Sequence, residues 1–310
     1  MNKPLIALTG GTGFIGQHLL RELGRHGFRL RVLLRRPSNL PVEYASAVVG
    51  DLMRPQNMSA ALADVDAVIH TAGPSHAMSG LPEDDHRLLG TDATISLARA
   101  AHRAGVRRFV FLSSVRAQSG PAFTQVLTEE MTPEPTDAYG RSKLAAERGL
   151  ADLDLDWVAL RLVTVYGAGM VGNLARLVSL ARSPYPLPLG GLTARRSLLS
   201  VDNLASAIAL LVQSPQTLRR PLIVADPEPL TLAEMIAAMR RGLGRRPAVF
   251  PVPAKLFDIG LDALGRSSDQ RFATESLVAD PAALIRLGWK PELTTAQGLE
   301  RLMRSLPAAA

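Results

Sequence analysis

Tyr139 and Lys143 stand four residues apart in the run Tyr139-Gly140-Arg141-Ser142-Lys143, just where a helical pattern begins. On a helix this spacing puts a phenol and an ammonium on one face. Free tyrosine and lysine side chains both titrate at roughly 10, so an ammonium held beside the phenol favours the phenolate and brings proton exchange closer to neutrality. Such a pair is useful beside a redox cofactor, and Thr9-Gly10-Gly11-Thr12-Gly13-Phe14-Ile15-Gly16 offers a place for one. Gly11, Gly13 and Gly16 match the dinucleotide fingerprint, and Gly10, Gly13 and Gly16 match the related TGxxGxxG form. Glycine lets the turn tighten and the backbone approach a pyrophosphate, whose charge then meets the N-terminus of the following helix.

The end of the second strand distinguishes the dinucleotides. An acid there holds the ribose hydroxyls of NAD, whereas this chain reads Val32-Leu33-Leu34-Arg35-Arg36. The forked donors of two guanidiniums match the oxygens of a 2′-phosphate, so the expected cofactor is NADP in preference to NAD.

These residues need a scaffold, and the first half of the chain reads as one. Leu5 to Leu8, Arg29 to Leu34, Ala67 to His70, Arg108 to Leu112 and Trp157 to Leu162 have the pattern of strands. Helical patterns at Phe14 to Arg25, Met58 to Leu62, Thr91 to Ala104 and from Tyr139 onward separate them. Strands alternating with single helices predict an α/β fold, a doubly wound Rossmann-type parallel sheet. The second half is broken by proline and glycine between Ser183 and Leu192, around Pro227-Glu228-Pro229 and from Pro247 to Pro253. The expected organisation is a dinucleotide-binding domain over 1–166, with 195–215 returning to it, and a smaller, discontinuous substrate domain over 167–194 and 216–310.

Composition agrees with a packed globular enzyme. The 310 residues are 47% hydrophobic and 20% charged, and they include no cysteine, so neither disulfides nor thiolate metal sites are available. The net charge of +7 comes from arginines scattered along the chain, with too few aromatics for a nucleic-acid stacking platform. Asp66, Asp84 and Asp85 lack partners at ligand spacing, so no metal is expected. The start of the chain lacks the marks of a signal peptide and the longest apolar runs are too short to span a bilayer. A cytoplasmic location with no integral membrane association is expected.

The glycine run, Val68-Ile69-His70-Thr71-Ala72-Gly73, Phe111-Leu112-Ser113-Ser114, Tyr139 to Lys143 and Arg161-Leu162-Val163-Thr164-Val165-Tyr166-Gly167 follow one another as in the extended short-chain dehydrogenases/reductases. The chain resembles their NAD(P)-dependent epimerase/dehydratase family, whose members act largely on nucleotide sugars. Leu287-Gly288-Trp289-Lys290-Pro291 is similar to that family's C-terminal signature. The resemblance implies that Tyr139 is the acid/base, that Lys143 lowers its pKa and holds the nicotinamide ribose, and that Ser114, favoured over Ser113, donates to the reacting oxygen. It also implies that Asp51 and Leu52 meet the adenine and that Thr71, Ala72 and Gly73 pass beside the cofactor. His70 reads as a satisfied core histidine.

By the same resemblance, Asn173 and Arg195 contact a substrate diphosphate, with Arg196 an equal contributor. Departures from the family pattern include Leu162 in place of a proline, Arg87 in place of an asparagine, and Arg116 in the loop after Ser114. Arginine in that loop favours an anionic or strongly polar substrate. No Asp-Glu pair follows Ser114, which disfavours dehydration. Epimerisation or ketone reduction remains, so the expected activity is hydride transfer that epimerises or reduces at C4 of a nucleoside-diphosphate sugar. The alternatives are NADPH-dependent reduction of a non-nucleotide ketone or aldehyde, and dinucleotide sensing without turnover. A homodimer is implied by analogy with the family.

Overall fold

The computed structural model describes residues 3–41, 44–74, 81–252 and 267–307. Its strands are β1 (Leu5–Thr9), β2 (Arg29–Leu34), β3 (Ala45–Val48), β4 (Ala67–His70), β5 (Arg108–Ser114), β6 (Val126–Leu127), β7 (Trp157–Leu162), β8 (Thr164–Tyr166), β9 (Arg195–Arg196), β10 (Leu198–Ser200), β11 (Arg220–Val224), β12 (Leu230–Thr231) and β13 (Val278–Ala279). The helices are α1 (Phe14–Arg25), α2 (Met58–Ala61), α3 (Glu83–His86), α4 (Ala93–Arg103), α5 (Ala138–Ala151), α6 (Asn173–Arg182), α7 (Val201–Gln213), α8 (Leu232–Gly242), α9 (Ser267–Thr274), α10 (Ala282–Arg286) and α11 (Thr295–Ser305). A π-helical turn, Arg87–Asp92, joins α3 to α4.

Seven strands form one sheet in the order β11-β7-β5-β4-β1-β2-β3, and every pair in it is parallel. Strand alternation gives each face its own core. Ile6 and Leu8 join Leu19, Leu23, Leu204 and Ile208 on the face covered by α1 and α7, while Leu5 and Ala7 join Leu97, Ala101, Ala146 and Leu150 on the face covered by α4 and α5. The strand order reverses between β1 and β4, and a doubly wound sheet opens a ligand crevice outside its carboxyl ends at that point.

The sequence boundary at 216 assigned Arg220 to Val224 to the smaller part of the chain, but these residues form β11 and pair with β7 at the edge of the large sheet. An edge strand tolerates Pro221, whose missing N–H costs no ladder bond on the outer side. The returning segment divides its roles: α7 packs on the large sheet, whereas β10 pairs with β8 in a separate two-stranded ribbon. Pro253 and the C-terminal alanines fall outside the described residues.

A third core of Leu174, Leu177, Leu198, Met235, Ile236 and Leu299 underlies the smaller part. It meets the large sheet at Asp226, a buried carboxylate. Asp226 accepts from the Tyr166 hydroxyl at 2.8 Å, the Ser200 amide at 3.1 Å and Asn203 Nδ2 at 2.7 Å. Burial pushes this carboxyl up to about 6. Within the smaller part, the guanidinium of the nearly fully buried Arg240 donates to the carbonyls of Ala181, Ser183, Tyr185, Pro247 and Ala248. Five acceptors, from the last turn of α6, the segment after it and the segment after α8, converge on one rigid fork. Arg240→Lys keeps the charge but supplies only three donors from one point, so we expect a loss of about 3 kcal/mol from the stranded carbonyls, read as a lower urea midpoint with unchanged slope.

Candidate active site

The carboxyl ends of β1, β4 and β5 and the first turn of α5 converge on the crevice. After β1 the chain turns through Gly10, whose φ of +70° is a left-handed conformation that favours glycine. A Cβ on Gly16 would lie 2.7 Å from the Gly10 carbonyl carbon and 2.8 Å from Gly11 Cα, so α1 begins flush against the turn. Its N-cap, Gly13, provides no side-chain hydrogen bond. The first amides of α1 thus keep no side-chain competitor, and the glycine cradle suits a pyrophosphate. Thr12, Phe14 and Ile15 complete this loop and first turn. Arg35 and Arg36 are exposed, just beyond the Thr9–Leu33 pair of β1 and β2 and therefore level with the cradle. Asp51 is exposed, and its carboxylate accepts from the Met53 amide at 2.9 Å in a local turn; Leu52 packs against the neighbouring core.

Thr71, Ala72 and Gly73 follow β4. The Thr71 and Ala72 amides both donate to Thr9 Oγ1 at 3.2 Å, and Thr71 Oγ1 donates to the Thr9 carbonyl at 2.7 Å. Thr9 Oγ1 also meets His70 Nδ1 at 2.7 Å, and His70 Nε2 meets Thr94 Oγ1 at 3.1 Å. Because Thr94 donates to the Gly90 carbonyl at 2.6 Å, its oxygen accepts from His70, which fixes the Nε2–H tautomer. His70 is therefore a satisfied core residue. Burial, with Lys143 adding to it, depresses its pKa to about 3.

At the end of β5 the two serines diverge. Ser113 donates to the buried Glu147 of α5, whereas Ser114 hydrogen-bonds the Tyr139 hydroxyl and accepts from the Arg116 amide at 3.2 Å. Lys143 Nζ donates to the Leu112 carbonyl at 2.9 Å and lies 4.6 Å from the Phe111 ring centre and 5.7 Å from that of Tyr139. Burial lowers the ammonium to about 8. The phenol does not follow the expectation of a depressed pKa. Burial pushes Tyr139 up to about 12, against the Ser114 hydrogen bond; Asp137 raises it further and Arg116 opposes. In this geometry the lysine's charge is directed at a carbonyl and the desolvation of the phenolate prevails.

The arginines predicted to line the substrate site also differ from expectation. Arg87 is exposed and bridges Asp92 at 2.9 Å and Asp84 at 3.7 Å on its own segment. Arg116 is buried and paired with Asp137. Arg195 is exposed, donating to the Pro229 carbonyl at 2.8 Å and facing Glu234 at 3.3 Å. Its neighbour Arg196 is buried, donates to the carbonyls of Glu275 at 2.7 Å and Pro121 at 2.9 Å, and lies over the Phe272 ring at 4.6 Å. Strand alternation sends the two guanidiniums to opposite sides. The Pro121 held by Arg196 lines a cavity of about 570 Å³, together with Gln118, Gly120, Phe123, Glu134 and Thr136, which bound the segments leaving Ser114 and approaching Tyr139. Asn173 is half-buried at the first position of α6.

Two residues beside the phenol escaped the sequence reading. Asp137 caps α5 by accepting from the Gly140 amide at 2.7 Å, and an Asp directly before a helical pattern is a cap signal that marks it. His86 is fully buried with its ring edge-on to Tyr139, centres 6.2 Å apart, and nothing in its sequence surroundings marks it. Among the described residues, no group of three or more His, Cys, Asp or Glu gathers as a metal site. No described helix is long and apolar enough to cross a membrane.

A parallel doubly wound sheet with a glycine cradle at its switch point and a Ser-Tyr-Lys set at the neighbouring strand end defines an NAD(P)-dependent short-chain dehydrogenase/reductase. Residues 6–225 match the NAD dependent epimerase/dehydratase family, and the chain belongs to it. It is 29% identical over 307 residues to UDP-glucose 4-epimerase of Vibrio cholerae, covering 96% of this chain and 93% of the relative. It is 27% identical over 303 residues to ceramide reductase of Caulobacter vibrioides, covering 93% and 86%. Among solved structures, MoeE5 in complex with UDP-glucose and NAD superposes with a TM-score of 0.73 at 27% identity, covering 96% and 97%. The UDP-N-acetylglucosamine 4-epimerase of Bacillus cereus shares the fold at 21% identity and a TM-score of 0.76.

The neutral His70 gives a pH prediction. Its ring stays unprotonated in the folded chain down to about 3, while the unfolded ring titrates at 6.5. Below 6.5 only the unfolded state gains this proton, so stability falls as pH drops from 6.5 toward 3. His70→Gln removes that contribution and should flatten the decline in unfolding free energy between pH 7 and pH 4; an unchanged slope would contradict the assignment.

Proposed function

We propose that the protein uses NADP in preference to NAD to epimerise or reduce a nucleoside-diphosphate sugar by hydride transfer at its C4 carbinol or ketone. The observation that carries this reading is the convergence of Ser114 at the end of β5 with Tyr139 and Lys143 on one face of α5, beside the open amides of α1. A bound nicotinamide supplies the hydride donor or acceptor. Ser114 orients the substrate oxygen, and Tyr139 gives or takes the proton that must move as that carbon changes oxidation state. Lys143 holds the nicotinamide ribose. Gly10, Gly11, Thr12, Gly13, Phe14, Ile15 and Gly16 cradle the pyrophosphate, Thr71 to Gly73 flank the cofactor, and Asp51 and Leu52 border the adenine. The exposed Arg35 and Arg36, with no acid at that strand end, support NADP.

The choice of a nucleotide sugar is supported by the nearly full-length likeness to the Vibrio cholerae 4-epimerase. Asn173 and Arg195 are the residues we assign to the diphosphate: Arg195 is exposed and would exchange Glu234 and the Pro229 carbonyl for it, whereas Arg196 is buried on two carbonyls. The occupation of Arg195, with Arg87 held by two carboxylates, favours a second reading, NADPH-dependent reduction of a non-nucleotide ketone. The likeness to ceramide reductase accords with it. We further infer two functional parts, the large sheet for the dinucleotide and the part around α6, α8 and α11 for the substrate, in a cytoplasmic homodimer.

Three measurements test these statements. Thermal shifts with NADP, NAD, UDP and UDP-glucose should show stabilisation by NADP and a further rise with the uridine ligands; no uridine response, together with NADPH consumption on a non-nucleotide ketone, selects the second reading. Tyr139→Phe should cut turnover by about 10²- to 10⁴-fold while dinucleotide affinity stays near its starting value. Replacing Arg35 and Arg36 with serine should lower the affinity ratio of NADP to NAD by about tenfold to a hundredfold in fluorescence titrations, the worth of one charged hydrogen bond.

A further inference from the structure

The loop after Ser114 is tied back to Ser114 at one point and to the start of α5 at two, all through Arg116. Its amide donates to Ser114 Oγ at 3.2 Å. Its backbone lies so close to α5 that a Cβ on Gly140 would come within 2.9 Å of the Arg116 carbonyl carbon. Its guanidinium pairs with Asp137, whose other carboxylate oxygen accepts from the Gly140 amide at 2.7 Å. The Arg116 side chain is 9% exposed and that of Asp137 28%, so the pair is largely withdrawn from solvent. Arg116 Nε is buried with no hydrogen-bond partner among the described residues, while Nη2 of the same guanidinium pairs with Asp137.

We propose that the Arg116–Asp137 pair is an electrostatic clamp on Tyr139: it holds Ser114 against the phenol and biases the proton carried there. The two charges act in opposite directions. The guanidinium favours the phenolate, and the carboxylate, two residues before Tyr139 at the cap of α5, opposes it. The clamp rests on the reading of Tyr139 as the acid/base, and makes Arg116 a positioning residue acting through Ser114 and Tyr139.

Several other charged groups around α5 have partners of their own. Glu83 pairs with Arg141 at 2.7 Å, Arg87 with Asp92 at 2.9 Å, and Glu147 with Arg161 at 2.7 Å. Lys143 donates to the Leu112 carbonyl, His70 is held neutral, and His86 meets the phenol ring edge-on. Arg116 and Asp137 are the ions acting on Tyr139 from the loop and the cap. A purely structural ion pair predicts that loss of either partner has the same consequence, whereas a clamp predicts opposite ones.

The test replaces the four tyrosines of the full chain with 3,5-difluorotyrosine, whose lower intrinsic pKa brings the titration into a range where the fold persists. Fluorine NMR then follows Tyr139, assigned by the signal lost in Tyr139→Phe. Arg116→Met should raise the midpoint by about one pH unit, and Asp137→Asn, which retains a capping side chain, should lower it by about as much. Arg116→Lys should restore most of the shift seen with methionine. Shifts in the same direction for Arg116→Met and Asp137→Asn, or no shift in either, would overturn the clamp. Melting curves establish that each variant is folded; if Arg116→Met does not fold, the required downward shift in Asp137→Asn decides alone. The titration reads the phenol without cofactor or substrate, so a Tyr139→Phe variant that kept turnover would refute the catalytic reading separately.

Discussion

Glu147 and Arg161 are both buried to within 4% of full burial in their side chains, and the site depends on their being paired. Leaving one such charge without its partner costs about 3–5 kcal/mol, so the pair tolerates little displacement. Arg161 projects from β7 and clasps both carboxylate oxygens of Glu147 on α5, while Ser113 of β5 donates to the same carboxylate. Arg161 also reaches the Gln118 side chain at 3.1 Å, whose amide nitrogen holds the Thr128 and Met131 carbonyls. One buried ion pair thus sets the height of α5 on the sheet, the direction of Ser113 and the path of the loop beyond Ser114. Lys143, one turn from Glu147, inherits its position.

Ser113 pointing to the ion pair is also what leaves Ser114 for the phenol, because adjacent strand residues face opposite ways. The site is a consequence of register and helix phase: β5 decides which serine faces the crevice, and the four-residue spacing on α5 decides that the phenol and ammonium share it. Electrostatics is then superimposed by burial, which raises the phenol and lowers the ammonium.

The features legible in the sequence were those with short periods and local chemistry. Strand and helix alternation, the glycine turn and the Tyr139–Lys143 spacing are all set within one or two elements, and the resulting parallel sheet followed. The strand at Arg220–Val224 was hidden because Pro221 and an exposed Arg220 disguise an edge strand whose partner, β7, lies far back in the chain. The pairing of the arginines is illegible in the sequence for a related reason. Residue type announces a cation, but its direction depends on partners distant in sequence: Arg116 on Asp137, 21 positions away, and Arg195 on Glu234, 39 positions away. His86 gave no signal, since its setting beside Tyr139 exists only after α3 packs on α5.

The hydroxyl of Thr9 gives the crevice two walls of opposite character. On the β4 side, the amides of Thr71 and Ala72 both end on Thr9 Oγ1, and the line of donors continues inward through His70 and Thr94 to the Gly90 carbonyl. Those two amides are spent on Thr9 rather than open to an anion. On the α1 side the helix amides start at a glycine with no side-chain cap. A long ligand with a charged middle and neutral rings therefore meets a polarity gradient across the crevice, and it can settle in one orientation, with its charge against α1 and its flat faces against the strand end.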